Sequence, residues 1–290
     1  MALPALLDSV VGQPRAVAAL RAHVARTGGA GSVLVAGPEG TGRFLLALGA
    51  AQSILRAGAA RVAALQHPDL EILDPDEGID GVRRVLAALA YRPSEGPRRV
   101  LIVRDADRLL YEARNALLKT LEEPTADAAV FVIAERPDQL PETVVSRCRL
   151  VRAEPLAPET MRLLLARLGV PVGRAEEAEG SPGRALVHDR EGSGEGAEAL
   201  LELISARSED APGVAAALAR RGAGEEAKAH RQRLAEILRI AAFRLRRRLP
   251  ESEAALRSVV EALRCLGANV GGPLLFAELA LLPWKAPPTT

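Results

Sequence analysis

A glycine-rich turn between a predicted strand and a predicted helix constrains the fold of this chain more than any other feature. Residues 37–44 read GPEGTGRF, after the Val-rich segment SVLVAG and before a segment with apolar residues at helical spacing. This is the setting of the phosphate-binding loop G-x-x-x-x-G-K-[ST], whose lysine reaches the phosphates and whose hydroxyl binds Mg²⁺. Gly37 and Gly42 match, whereas Arg43 stands at the lysine position and Phe44 at the hydroxyl position. The sequence predicts the backbone of such a loop with altered side-chain chemistry.

Predicted strands and helices alternate along the first half of the chain. Short apolar runs predict strands at 32–37, 70–73, 98–105 and 130–134. Helical spacing of apolar residues predicts helices at 43–56, 81–90 and 111–123. This alternation indicates an α/β domain with a parallel sheet and helices on both faces.

The pattern changes after about residue 153, where no further strand is predicted and helical segments follow. A Gly-rich joint, REGSGEG, divides these helical segments at residues 190–196. We therefore predict three domains, with an α/β domain over 1–153, a small helical domain over 154–194 and a larger helical domain over 195–290.

Composition excludes several classes of function. The net charge of +1 does not call for a nucleic-acid or membrane partner, and no apolar run reaches the length of about 18 residues that a membrane span needs. The cysteines, Cys148 and Cys265, form no C-x-x-C motif, and H-E-x-x-H is absent, so the spacing predicts no metal site. We expect a reducing, cytoplasmic location, and the amino-terminal residues do not resemble a signal peptide.

The segment FRLRRRL (243–249) is the most basic run, and it places Arg244, Arg247 and Arg248 on one predicted helix face. A solvated or salt-bridged helix face is favoured over a DNA contact. Aromatic residues make up only 2% of the chain, so no stacking platform for single strands is predicted.

Five short motifs occur in a fixed order over roughly the first 190 residues. They are VVGQPRAVAAL (10–20), HPDLEIL (67–73), NALLKTLEEP (115–124), LPETVVSRC (140–148) and GSPGRAL (180–186). Together they resemble bacterial clamp-loader subunits of the AAA+ class. The resemblance implies an AAA+ α/β domain, a small helical lid domain and an all-α collar domain. The segment GANVGGPLLFAELALL (267–282) resembles the end of the family's collar domain.

The resemblance also implies where an ATP site would need its acidic residues. In this family the strand before NALLKTLEEP ends in an Asp-Glu pair, and here that pair falls on Arg104 and Asp105. A cation at the first position repels Mg²⁺, and a low local dielectric strengthens the repulsion. Because Arg43, Phe44 and Arg104 all depart from the pattern, we expect the fold of the family without ATP hydrolysis and without a cofactor of its own.

The motif Ser146-Arg147-Cys148 matches the family's Ser-Arg-Cys motif, whose arginine projects into the ATP site of the neighbouring subunit. Arginine suits this role because its planar, permanently charged fork fits phosphate oxygens. The alternative for Arg147 is a surface salt bridge, and we interpret Cys148 as a packing residue. Arg184 resembles the family's lid arginine, which contacts nucleotide, and a merely structural role is the alternative.

By this resemblance the chain is a non-hydrolysing stator subunit in a five-subunit clamp loader of the DNA polymerase III holoenzyme. Its partners are the motor (gamma/tau) subunits and delta, with the sliding clamp and primed DNA reached through the assembly and no membrane. ATP and Mg²⁺ act at neighbouring subunits. Two alternatives are an ATP-hydrolysing motor subunit, in which Arg43 replaces the lysine, and a DNA-binding AAA+ relative outside replication.

Overall fold

The computed structural model describes residues 5–122, 127–191, 195, 197–198, 200–201, 227–247 and 252–267. Residues 268–282, in which we predicted the end of the collar domain, lie outside these ranges, as does Arg248. The three predicted domains and the two boundaries between them stay a prediction.

The described elements comprise five strands, eleven α-helices and four short 3-10 helices. The strands are β1 Gly31–Ala36, β2 Leu70–Leu73, β3 Arg99–Val103, β4 Ala128–Ala134 and β5 Arg149–Arg152. The helices that alternate with them are α1 Pro14–Thr27, α2 Arg43–Leu55, α3 Ala59–Ala63, α4 Gly78–Leu89, α5 Tyr111–Glu122 and α6 Glu142–Val145. The later helices are α7 Pro158–Leu168, α8 Arg174–Glu177, α9 Pro182–Glu191, α10 Ala227–Arg246 and α11 Glu253–Gly267. The 3-10 helices are Leu6–Ser9, Pro75–Glu77, Ala106–Arg108 and Pro137–Gln139.

All five strands pair in parallel in the order β2-β3-β4-β1-β5, which confirms the predicted α/β class. Four strands were predicted because strands buried on both faces read as apolar runs. The fifth, β5, was not predicted. It lies at the edge of the sheet, only Val151 is buried, and arginines stand at both of its ends. Charged ends of this kind protect an exposed sheet edge and hide its apolar pattern.

A separate apolar core covers each face of the sheet. On one face, Val33 and Val35 of β1 pack with residues of α1 and α2. On the other, Leu34 of the same strand packs with residues of α4 and α5. The alternation along β1 therefore positions the turn that follows it between two packed layers.

The described residues fall into two compact units. The first comprises residues 1–164 together with 180–183, and the second comprises 165–179 together with the chain from 184 onward. The second unit has its own core, built mainly from α10 and α11, and no strand follows β5 in the described part of the chain. Among the described residues no helix has both the length and the apolar character that crossing a membrane requires.

Helix α2 ends at an arginine in a left-handed conformation. Arg56 has φ 53° and ψ 32°, and its N–H donates to Gln52. A side chain with a β-carbon is strained there, whereas glycine is not. We expect Arg56→Gly to raise the free energy of unfolding by about 0.5–1 kcal/mol, less than the full relief of strain because glycine also loosens the unfolded chain.

Urea unfolding at a constant m-value measures this change. Arg56→Ala is the matched control, because it removes the same side chain and keeps the β-carbon. An equal gain in both variants would mean that the arginine side chain, and not the backbone conformation, is the source of the effect.

Candidate functional site

The glycine turn lies at the carboxyl end of β1, which is an interior strand of the sheet. The first residue of the turn is tightly enclosed. A β-carbon at Gly37 would stand 2.0 Å from the carbonyl oxygen of Ala153, so only glycine fits. Its N–H donates to the carbonyl of Ala134 at 3.2 Å. Gly42, the residue before α2, has φ 95°, which favours glycine by conformation. The two glycines of the motif thus have structural roles that need no ligand.

A buried glutamine supports the turn from the amino-terminal side. The side-chain amide of Gln13 donates to the carbonyls of Thr41 at 3.2 Å and Glu154 at 2.6 Å, and its oxygen accepts from the N–H of Glu154 at 3.0 Å. Gln13 belongs to the motif VVGQPRAVAAL, but sequence reasoning did not assign it a role. A polar residue directly before a helix-starting proline was the available signal.

The segment SPG supports the turn from the other side. The hydroxyl of Ser181 donates to the carbonyl of Glu39 at 2.7 Å, and the N–H of Gly183 donates to the carbonyl of Gly40 at 2.9 Å. Two turn carbonyls are therefore bound by protein donors. These bonds fix the backbone of the turn without nucleotide.

The arginine at the lysine position is buried and paired within the protein. Arg43 is 6% exposed, and its Nη2 lies 3.4 Å from Oδ1 of Asp105, the second residue of the degenerate acidic pair. Its Nη1 is buried and makes no hydrogen bond with the described residues. Asp105 itself has φ 41°, a conformation uncommon for a residue with a side chain. The guanidinium is thus directed to a carboxylate that follows β3.

The other two departures from the motif also contact each other. The guanidinium of Arg104 lies over the ring of Phe44, 4.9 Å from its centroid, at a distance that allows a cation–π interaction. Arg104 also forms an ion pair with Asp74 at 3.0 Å, and Phe44 packs against the apolar core. The four altered positions therefore form two mutually compatible pairs.

A fit to Mg²⁺-bound nucleotide can be tested on these residues. Magnesium in such loops takes oxygen ligands from a hydroxyl and a carboxylate. Phe44 supplies no oxygen, and Arg104 places a cation where the carboxylate is needed. Burial raises the pKa of Asp105 above its ordinary value, although Arg43 and Arg108 act in the opposite direction. The residues present do not fit a magnesium-bound nucleotide.

The predicted intersubunit arginine lies in a different segment, the turn between α6 and β5. Arg147 and Ser146 are both exposed. The Nη1 of Arg147 donates to the carbonyl of Thr143 at 2.9 Å. Cys148 packs against the core beneath, and burial raises the pKa of its thiol to about 11, so the thiol is protonated at neutral pH. This agrees with the interpretation of Cys148 as a packing residue.

The predicted lid arginine, Arg184, belongs to the second compact unit. It forms an ion pair with Glu179 at 3.6 Å, and its side chain is 15% exposed. The structure thus brings together the glycine turn and the degenerate acidic pair as one site. The roles of Arg147 and Arg184 toward nucleotide stay predictions.

The comparisons with known proteins agree with the motifs. A profile of the family described as "DNA polymerase III, delta subunit" matches residues 12–157, just over half of the chain. The chain belongs to this family.

Two curated relatives illustrate the match. The DNA polymerase III subunit delta' of Bacillus subtilis strain 168 is 32% identical over 164 residues, which cover 51% of this chain and 50% of the relative. The subunit delta' of Escherichia coli strain K12 is 37% identical over 142 residues, covering 44% of this chain and 42% of the relative. These relatives confirm the predicted resemblance and identify it with the delta' type. The chain spans about half the length of the curated relatives it matches.

A solved structure supports the fold alone. A DNA polymerase III gamma-subunit-related protein from Thermotoga maritima matches with a TM-score of 0.56 at 19% identity, covering 94% of this chain and 99% of that chain.

The pair of Arg43 and Asp105 generates a prediction about pH. Removing the guanidinium in Arg43→Met takes away the main charge that lowers the pKa of Asp105, so this pKa rises further. A carboxyl with a raised folded-state pKa favours folding at low pH and loses that contribution as the pH rises through the folded pKa. We expect the free energy of unfolding of Arg43→Met to fall relative to the unaltered chain as the pH increases, by about 1.4 kcal/mol for each unit of added shift.

Urea unfolding from pH about 4 to pH about 8 measures the difference curve, since this range begins near the ordinary pKa of aspartate. The double variant Arg43→Met with Asp105→Asn is the control, because it removes the titrating carboxyl and flattens the curve. The same slope in single and double variants would assign the pH dependence to other groups.

Proposed function

We propose that this chain is a non-hydrolysing subunit of the DNA polymerase III clamp loader, acting in the cytoplasm as a fixed part of the assembly. Membership of the delta-subunit family supports the clamp-loader role. The single observation that carries the non-hydrolysing role is the pairing of Arg43 with Asp105 and of Phe44 with Arg104. The side chains at the positions that bind phosphate and magnesium in a motor subunit contact each other here.

This proposal explains why the turn is retained while its chemistry is lost. Gln13, Ser181 and Gly183 hydrogen-bond to the turn from outside, and Gly37 touches the backbone of Ala153. Loss of the turn would remove these hydrogen bonds, each of which contributes about 0.5–1.5 kcal/mol to stability. The turn is therefore retained for stability, and we propose that the α/β domain that contains it serves in the assembly as a rigid wall, or stator.

The second part of the proposal is an arginine finger, supplied by Arg147 to the ATP site of a neighbouring motor subunit. Its exposure and its place at the end of α6 suit a contact with another chain. The turn that contains Arg147 is held in place on both sides of this residue. The N–H of Ser146 donates to the carbonyl of Glu142 at 2.9 Å, and Cys148 packs against the core. Such fingers accelerate GTP hydrolysis by about 10³–10⁵-fold.

The partners that follow are the gamma/tau motor subunits and delta in a five-subunit complex, with the sliding clamp and primed DNA reached through it. The predicted larger helical domain over 195–290 is proposed to contribute the collar contacts. Arg184, paired with Glu179, is proposed to have a structural role.

The arginine finger predicts a defect only in the assembled complex. In a reconstituted clamp loader, Arg147→Ala is expected to slow ATP hydrolysis at the adjoining motor site about tenfold or more, because that site loses its finger. Total DNA-stimulated ATP turnover and clamp loading should fall as a result. Phosphate release and clamp loading are measured together. Arg152→Ala, an exposed arginine on β5, is the matched control and should change neither. Unchanged turnover in a complex that assembles normally would refute the finger.

The degenerate site predicts that the isolated chain neither binds nor hydrolyses MgATP. Titration calorimetry and phosphate release by the purified chain measure both. The triple variant Arg43→Lys, Phe44→Thr, Arg104→Asp restores the ligands of the motif and should gain MgATP binding. Turnover by the unaltered chain that disappears in Arg43→Ala would instead make this chain a motor subunit.

A further inference from the structure

A short acidic segment and the basic end of a long helix meet within the second compact unit. The segment Arg174–Glu179 contains α8, and the basic residues belong to the end of α10 and to the residue after it. We call their ion-paired side chains the arginine latch. Its members are Glu176, Glu177, Glu179, Arg244, Arg246 and Arg247.

The central pair of the latch is sheltered from solvent. Arg244 donates from Nε at 2.8 Å and from Nη2 at 2.6 Å to one carboxylate oxygen of Glu177. The two side chains are only 23% and 14% exposed. Charge-assisted hydrogen bonds in such surroundings are stronger than those on the open surface. Arg244 also reaches Glu198 at 3.4 Å, so it joins three parts of the unit.

The outer pairs are more open. Arg247 lies 2.5 Å from Glu176, and Arg246 lies 3.4 Å from Glu179, with more than half of each arginine side chain exposed. Exposed pairs are screened by salt, whereas a sheltered pair such as Arg244 with Glu177 is screened much less. The two outer pairs together therefore carry the salt dependence of the latch. Glu179 is shared with Arg184, so the predicted lid arginine is connected to the same network.

The acidic segment has little apolar surface with which to pack. Its buried apolar side chains are those of Ala175 and Ala178. Alanine buries a small area compared with leucine, and burial contributes in proportion to area. Hydrophobic packing alone is therefore a weak source of attachment for this segment, and the ion pairs take a correspondingly larger share.

We propose that the arginine latch is an electrostatic switch that keeps the α8 segment attached to α10 at low ionic strength and releases it as ionic strength rises. The basic run at the end of α10 is then a partner for this chain's own glutamates and not a DNA contact. Release of the segment also frees Glu179 from Arg246 and so alters the surroundings of Arg184. None of this depends on the proposed clamp-loader role.

Hydrogen exchange of the full chain tests the switch. The amides of residues 175–179 are followed at about 50 mM and about 500 mM NaCl, between which the screening length falls from about 14 Å to about 4 Å. In the unaltered chain we expect their exchange to accelerate about fivefold to thirtyfold with salt, while the amides of β1 do not change. Arg244→Met should exchange rapidly at both salt concentrations.

Arg257→Met is the matched control, because Arg257 forms an exposed pair with Glu253 at 2.9 Å on α11 of the same unit. The charge swap Glu177→Arg with Arg244→Glu should restore slow exchange. If Arg244→Met does not fold, Glu177→Gln and the salt dependence of the unaltered chain decide the question. Exchange that is insensitive to salt, or equal acceleration by Arg257→Met, would overturn the proposal.

Discussion

The ion pair between Arg43 and Asp105 is the constraint on which the candidate site depends. It joins Arg43, the first residue of α2, to Asp105, which lies two residues past the end of β3. The two residues are 62 positions apart in the sequence. A buried arginine needs such a partner, because an isolated charge in the interior is strongly unfavourable. Once the partner is a carboxylate of the chain itself, the positive group is no longer available to a phosphate at low cost.

The remaining departures follow from the same logic. The aromatic ring at position 44 packs against the core, and Arg104 lies over its face. Asp74 then balances the charge of Arg104 at the edge of the site. A change at Arg43 alone removes the ion pair of Asp105, whereas Arg104 and Phe44 each keep a second contact within the chain.

The sequence predicted the α/β class, four of the five strands and the position of the glycine turn. These features depend on local patterns, namely apolar runs, glycine spacing and residue types at motif positions. It did not predict β5, whose burial pattern is mostly exposed. Nor did it predict the contact of Gln13 with Glu154, which are 141 residues apart. Side-chain pairs of this kind depend on how distant segments of the chain pack together. The local periodicity of apolar residues in the sequence does not encode them.

Each compact unit contains an arginine with a structural role, so the presence of an arginine does not by itself indicate a role in binding phosphate. Arg43 and Arg244 are largely buried against carboxylates, so their charge serves packing and attachment. Arg147 differs in position, because it lies exposed in the turn two residues after the four-residue helix α6, and the residue that follows it, Cys148, packs against the core. A rigid support beneath an exposed guanidinium is what a contact with phosphate in another chain requires, since a finger acts through its position. The proposed loss of hydrolysis in the chain's own loop and the proposed supply of a finger in trans are thus physically independent properties, and one fold can combine them.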